Sequence, residues 1–160
     1  MMLGLGHDVV DVASFAAQLA EPGSRMRALF SARELRQAAM RAQAKRDGEA
    51  VHLAARWAGK EAVVKAWCEA LALMGDGVRT HGGVAPALPY TLDDCPWSGI
   101  EILDDSRGVP RVTLRDDVDE RLRASLNAGA VSRDGGVTPR WHVSLSHDGP
   151  VASAVAVLEG

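Results

Sequence analysis

Apolar and polar positions alternate at the start of the chain. Over residues 3–12, LGLGHDVVDV, Leu3, Leu5 and Val9 fall on one side and Gly4, Gly6 and Asp8 on the other, the period-two signature of a strand. Residues 13–21 read as helical and stop at Pro22-Gly23. Ser31, with Glu34 three residues later, forms a capping box that opens a helix running to about Lys45. The longest helical stretch starts at Glu49, reaches Met74 and is expected to close at Gly75. Residues 75–96 are rich in glycine and proline and read as an irregular excursion. Trp97 to Leu103 and Val109 to Leu114 read as strands joined by a turn at 104–108, and Asp116 to Asn127 as a short amphipathic helix. After a second loop at 128–139, Trp141–His147 and Val151–Leu158 predict a hairpin around Asp148-Gly149. No repeat and no domain-length linker breaks this order, so the pattern predicts one α+β domain over residues 1–160.

The faces of the long helix follow from an advance of about 100° per residue. Leu53, Trp57, Val64, Cys68 and Leu71 share a narrow stripe, the expected core face, which makes Cys68 a small buried hydrophobe. Ala54, Ala58, Ala62 and Ala66 share another side, over which a neighbouring backbone can come close. Glu61 falls between these surfaces, with Lys65 one turn on, while Arg56 and Lys60 lie on the opposite margin of the stripe. An exposed Glu61–Lys65 pair would contribute only about 0.3–0.5 kcal/mol and is one reading of this spacing. The other involves Asp8, which shares its strand face with two glycines that let a helix or ligand approach. Two carboxylates from separate elements, with basic residues nearby, suit a hard cation carrying phosphate oxygens.

Composition narrows the class. The chain has 160 residues, 47% hydrophobic and 24% charged, with a formal net charge of −3, so it carries no electrostatic footprint for nucleic acid. Two cysteines, Cys68 and Cys95, make no disulfide framework and suit a reduced, cytoplasmic protein. The start, MMLGLGHD, lacks the basic segment of a signal peptide, and the longest apolar stretch, Val151 to Leu158, is too short to span a bilayer. A soluble protein without a membrane role is expected.

In the hairpin, His142, Ser144 and Ser146 alternate onto one face, a row of donors that either faces water on an edge strand or receives phosphate oxygens. His147 falls opposite, with Trp141, Val143 and Leu145, and reads as structural. His7 alternates away from Asp8, and His81 is too isolated for a metal set. Trp57 and Trp67 read as core or interface residues.

Three segments together resemble the holo-acyl-carrier-protein synthase family, the small type of 4′-phosphopantetheinyl transferase. GLGHDVVDV is similar to that family's opening, RWAGKEAVVKAW (residues 56–67) to its K-E-x-x-x-K helix, and HVSLSHDGPVASAVAVLE to its closing hairpin. They stand in family order, the intervening GVPRVTL also fits, and the wording HLAARWAGKEAVVKAW looks most like actinobacterial members. Coverage is nearly complete outside 75–96 and 128–139, which look like loop insertions.

The resemblance implies an α+β fold with an antiparallel sheet and a long central helix packed on it. It implies transfer of the 4′-phosphopantetheine arm of coenzyme A to a serine of an apo acyl carrier protein or a fatty acid synthase carrier domain, with release of adenosine 3′,5′-bisphosphate. Asp8 and Glu61 would hold Mg2+, and Lys65 would meet the pyrophosphate. Arg56 would reach phosphate or a neighbouring protomer, and Pro110, Arg111, His142, Ser144 and Ser146 would lie by the nucleotide. The family also implies a homotrimer with sites between subunits. It usually carries an arginine soon after the opening strand, where this chain has Ala13-Ser14-Phe15; Arg25 and Arg27 are the expected substitutes for carrier docking. Another magnesium-dependent phosphate-transfer enzyme and a catalytically silent coenzyme A-binding module are the alternatives.

Overall fold

The computed structural model describes residues 1–79, 87–128 and 137–160. Strand β1 (Met2–Asp11) leads into helix α1 (Val12–Ala20), whose first turn is capped by the Asp11 side chain accepting from the Ser14 amide. A 3-10 turn (Met26–Leu29) precedes α2 (Ala32–Lys45), and the capping box expected at Ser31 and Glu34 is present in both directions. Helix α3 spans Glu49–Arg79 and continues through Gly75, where the sequence predicted its end. A further 3-10 turn (Trp97–Gly99) replaces the first three residues of a predicted strand, leaving β2 as Ile100–Asp104. Strand β3 (Pro110–Leu114), helix α4 (Asp116–Ala128), and strands β4 (Arg140–Asp148) and β5 (Val151–Glu159) complete the order. The β4–β5 hairpin turns at Gly149, whose φ of +53° favours glycine.

The expected mixed α and β architecture is borne out. Three strands pair antiparallel in the order β1-β5-β4, β2 and β3 form a separate antiparallel pair, and α3 lies across β1 and β5. The alanine side of α3 makes this contact possible. A Cβ added to Gly4 would lie 2.1 Å from the Ala66 carbonyl oxygen, and one on Gly6 would lie 1.9 Å from that of Ala62. Only glycine lets strand and helix backbones meet this closely. A register shift between Met2 and Gly4 turns Leu3 into the core, so it does not share the exposed face of Leu5 and Val9.

α3 also closes the free edge of β1 with side chains. Glu69 accepts a hydrogen bond from the Leu5 amide, and the Lys65 ammonium donates to the His7 carbonyl at 3.1 Å.

The core face of α3 is partly corrected. Leu53, Val64 and Leu71 are buried and Trp57 is half-buried, but Cys68 is exposed. Lys60, placed by periodicity at a margin, has no exposed surface. Its ammonium donates to Glu34 Oε2 at 2.8 Å, to the Trp97 carbonyl at 2.7 Å and to the Ile100 carbonyl. Trp67 is buried, as expected, and donates from Nε1 to Ser125 Oγ at 3.0 Å. Among the described residues, no helix is long and apolar enough to cross a membrane.

Candidate active site

β1 and α3 bring Asp8, Glu61 and Lys65 together. Asp8 faces inward beyond Gly4 and Gly6 and is 8% exposed; its Oδ1 accepts from Lys65 Nζ at 2.7 Å. The Glu61 carboxyl lies against that of Asp8. Burial first, and then the neighbouring Asp8 carboxyl, push the Glu61 pKa up to about 7, with Lys65 opposing the shift. Asp8 Oδ2 is buried and has no hydrogen-bond partner. An acceptor facing another carboxyl calls for a proton or a cation between them. The pair therefore fits a hard divalent ion that takes two protein carboxylates and completes its shell with water and phosphate. No cluster of three or more candidate ligands occurs among the described residues.

A cavity of about 140 Å3 opens between α2, α3, β3 and β4. Its lining includes Arg56 and Pro110, both singled out by sequence, and Arg41, Lys45, His52 and His147, which were not assigned to a site. Arg56 is 3% exposed. It donates to the His52 carbonyl at 3.2 Å and to Asp104 Oδ2 at 3.1 Å, while Arg41 Nε reaches the same Asp104 oxygen at 3.0 Å. Burial lowers the Arg56 pKa, against the pull of Asp104 and Glu34. Its Nε is buried without a partner, a donor left over in a cationic cavity. His52 bonds Asp47 through Nε2 at 2.7 Å, and its ring stands edge-on to that of His147 at 5.7 Å between centroids. The i, i+4 spacings Arg41–Lys45 and His52–Arg56 carried this signal in the sequence.

The remaining candidates lie elsewhere. His142, Ser144 and Ser146 are exposed on the outer face of the three-stranded sheet, opposite the face that carries Asp8 and packs on α3. His142 pairs with Glu159 at 3.0 Å, and His7, on the same outer face, bonds Ser153 at 3.0 Å. Arg111 contacts Asp105 at 3.4 Å. Arg25 is exposed, and Arg27 is tied to Glu49 at 2.7 Å. His81 lies outside the described residues.

A family model described as the 4'-phosphopantetheinyl transferase superfamily matches residues 4–144, a span that includes the carboxylate pair, Lys65 and both arginines of the cavity. The chain belongs to this superfamily. The holo-[acyl-carrier-protein] synthase of Bifidobacterium animalis subsp. lactis is 59% identical over 158 residues, covering 99% of this chain and 98% of its own. That of Corynebacterium efficiens is 36% identical over 157 residues, covering 98% and 94%. Among solved structures, the Chronobacterium ammoniagenes ACPS-CoA complex is similar with a TM-score of 0.73 and 32% identity, covering 97% of this chain and 95% of that one. The resemblance drawn from the motifs, including its actinobacterial character, is borne out, as is the transferase class it implied.

Proposed function

We propose that this transferase moves the 4′-phosphopantetheine arm of coenzyme A onto a serine of an apo acyl carrier protein or carrier domain, with magnesium, releasing adenosine 3′,5′-bisphosphate. The observation that carries the magnesium-dependent reading is the buried, unpartnered Asp8 Oδ2 facing Glu61. The synthase relatives supply the acceptor class, and the solved coenzyme A complex of a 32% identical relative supports the donor.

Asp8 and Glu61 would hold the magnesium ion. When bound, it supplies charge neutralisation at the pyrophosphate oxygens. Lys65 uses two of its three donors on Asp8 and the His7 carbonyl, leaving one for a phosphate oxygen beside the carboxylates. The Arg56 cavity, with Pro110 at its wall and Arg111 on the same strand, suits the remaining phosphate and nucleotide. The serine oxygen forms a bond to the β-phosphorus, and the bond from that phosphorus to the bridging oxygen breaks. The electron pair leaves on adenosine 3′,5′-bisphosphate, and the hydroxyl proton leaves towards Glu61 through water.

His142, Ser144 and Ser146 would serve a neighbouring copy. They share the outer sheet face with Leu5, Val9, Val151 and Val155, large apolar residues that remain exposed in one chain. Covering that face with a second and third copy would bury it and carry the polar row to another subunit's site, which supports the trimer. For the carrier, a groove of about 350 Å3 lined by Val9, Phe15, Met26, Leu29 and Trp57 lies beside Arg25 and Arg27. The groove is mainly apolar, with Asp11, Ser14 and Gln18 in its lining, and Arg25 next in sequence to Met26 would supply the charge that an acidic partner meets. The reaction is assigned to the cytoplasm.

The test is an intact-mass measurement on apo carrier protein incubated with the transferase, coenzyme A and magnesium. The phosphopantetheine increment should appear, and Asp8→Ala or Glu61→Gln should abolish it while the chain stays folded. No increment on any cognate carrier overturns the reading. Hydrolysis of coenzyme A without a carrier would instead mark another phosphate-transfer enzyme, and binding without turnover a silent module.

A further inference from the structure

Lys60 and Glu34 take no part in the transfer chemistry above. Yet among the described ion pairs, theirs alone has both side chains without exposed surface. Apolar residues of similar volume in such a place commonly leave a protein as stable or make it more so. The pair therefore invites a role other than stability.

The geometry of its tethers points to that role. All three ammonium donors of Lys60 are used, on Glu34 Oε2 and on the Trp97 and Ile100 carbonyls. Glu34 also accepts from the Ser31 amide at 2.9 Å through Oε2 and from the Ile102 amide at 3.0 Å through Oε1. The first turn of α2, the middle of α3 and the start of β2 thus meet at one directional junction. Glu61 is the next residue, about 100° round the helix and facing β1. On that side, Gly4 and Gly6 let the Ala66 and Ala62 carbonyls touch the strand. The helix is gripped from two directions, with the Glu61 carboxyl aimed between them.

We infer that the Lys60–Glu34 pair is a positioning device for Glu61: it fixes the rotation of α3 about its axis and so the placement of Glu61 against Asp8. Apolar contacts tolerate sliding, whereas three hydrogen bonds to fixed acceptors do not. At a helix radius of about 5–6 Å, a turn of only about 10° moves a side-chain terminus by about 1 Å. Displacements of that size matter to positioned groups. The inference rests on the reading of Asp8 and Glu61 as magnesium ligands.

The test replaces the pair by apolar residues, Lys60→Met with Glu34→Leu. A second variant, Lys60→Met with Glu34→Gln, keeps an acceptor for the Ile102 and Ser31 amides. Thermal melting is compared with magnesium binding by calorimetry in the absence of coenzyme A and carrier. The expected result is that the variants stay folded, the one with Glu34→Gln melting higher because it keeps an acceptor for the Ile102 and Ser31 amides, with magnesium affinity about tenfold weaker in both, the size typical of lost outer-sphere support. Parent-like magnesium affinity in a folded variant overturns the inference. Failure of both variants to fold also overturns it, since the pair would then be holding the fold itself. A parent chain that binds no magnesium refutes the metal-site reading instead, which keeps the two failures distinct.

Discussion

The Lys65 ammonium lies 2.7 Å from Asp8 Oδ1 and 3.1 Å from the His7 carbonyl, bridging the long helix to the backbone and side chain of the first strand. Its side chain is 53% exposed, so the ion pair contributes at most about 1 kcal/mol to stability. Lys65→Met should therefore melt close to the parent while carrier modification slows by about a hundredfold, the scale of a lost charge-stabilising donor. Intact-mass time courses beside thermal melts check this, and parent-like turnover would remove Lys65 from the chemistry.

Glu61 makes the metal-free protein sensitive to pH. Its folded pKa of about 7 lies above the ordinary value of 4.5, so the native state holds more protons than the unfolded chain between those values. Its contribution is present below about pH 4.5 and is lost as pH rises through about 7. Urea unfolding in chelator should show this fall, and Glu61→Gln should flatten it. Magnesium should add most stability above about pH 7, where the carboxylate is free to bind it. Equal slopes in parent and variant would contradict the assignment.

Gly6→Ala should damage both fold and site. The new methyl would lie 1.9 Å from the Ala62 carbonyl oxygen, so strand and helix must part. A loss of about 1–3 kcal/mol is expected in urea unfolding, together with weaker magnesium binding. A variant with unchanged stability would mean that the backbones separate freely.

Arg56→Ala should leave Asp104 paired with Arg41, keeping the fold, while the cavity loses its unpartnered donor. A KM for coenzyme A about tenfold higher is expected, with kcat less affected. Arg56→Lys should not restore it, because an ammonium lacks the planar fork that serves two partners at once. Unchanged KM in steady-state kinetics would separate the cavity from the substrate.

For the carrier, Arg25→Glu with Arg27→Glu should weaken binding while coenzyme A affinity is kept. Since Arg27 is bonded to Glu49, Arg25→Glu alone should produce most of the effect. Binding assays with apo carrier decide this; full carrier affinity in the double variant would move the docking surface elsewhere.

Local chemistry made much of this legible in advance. The capping box at Ser31 and Glu34, the hairpin at Gly149 and the alanine side of α3 all carry short-range rules, and each appears in the structure. Asp8 and Glu61 could be nominated from two periodicities, but only packing brings the Asp8 carboxyl near enough to raise the Glu61 pKa. Lys60 was misplaced because a helical wheel measures angle alone. It cannot see that the Trp97 and Ile100 carbonyls and Glu34 converge to receive an ammonium. Cys68 erred in the opposite direction, being placed on a core stripe while the structure leaves it exposed. His52 and His147 meet across a cavity through contacts nearly a hundred residues apart, beyond the reach of any local pattern.

The closing of β1 by Lys65 and Glu69 has a consequence for how copies of this chain can meet. An open strand border is a template for continuous growth, one chain adding to the next without end. Here the Leu5 amide and the His7 carbonyl are already occupied by a helix of the same chain. Association along that border is discouraged, which leaves the flat of the sheet as the favoured route and suits closed, countable assemblies over filaments. The lysine that holds the His7 carbonyl thus also guards against polymerisation.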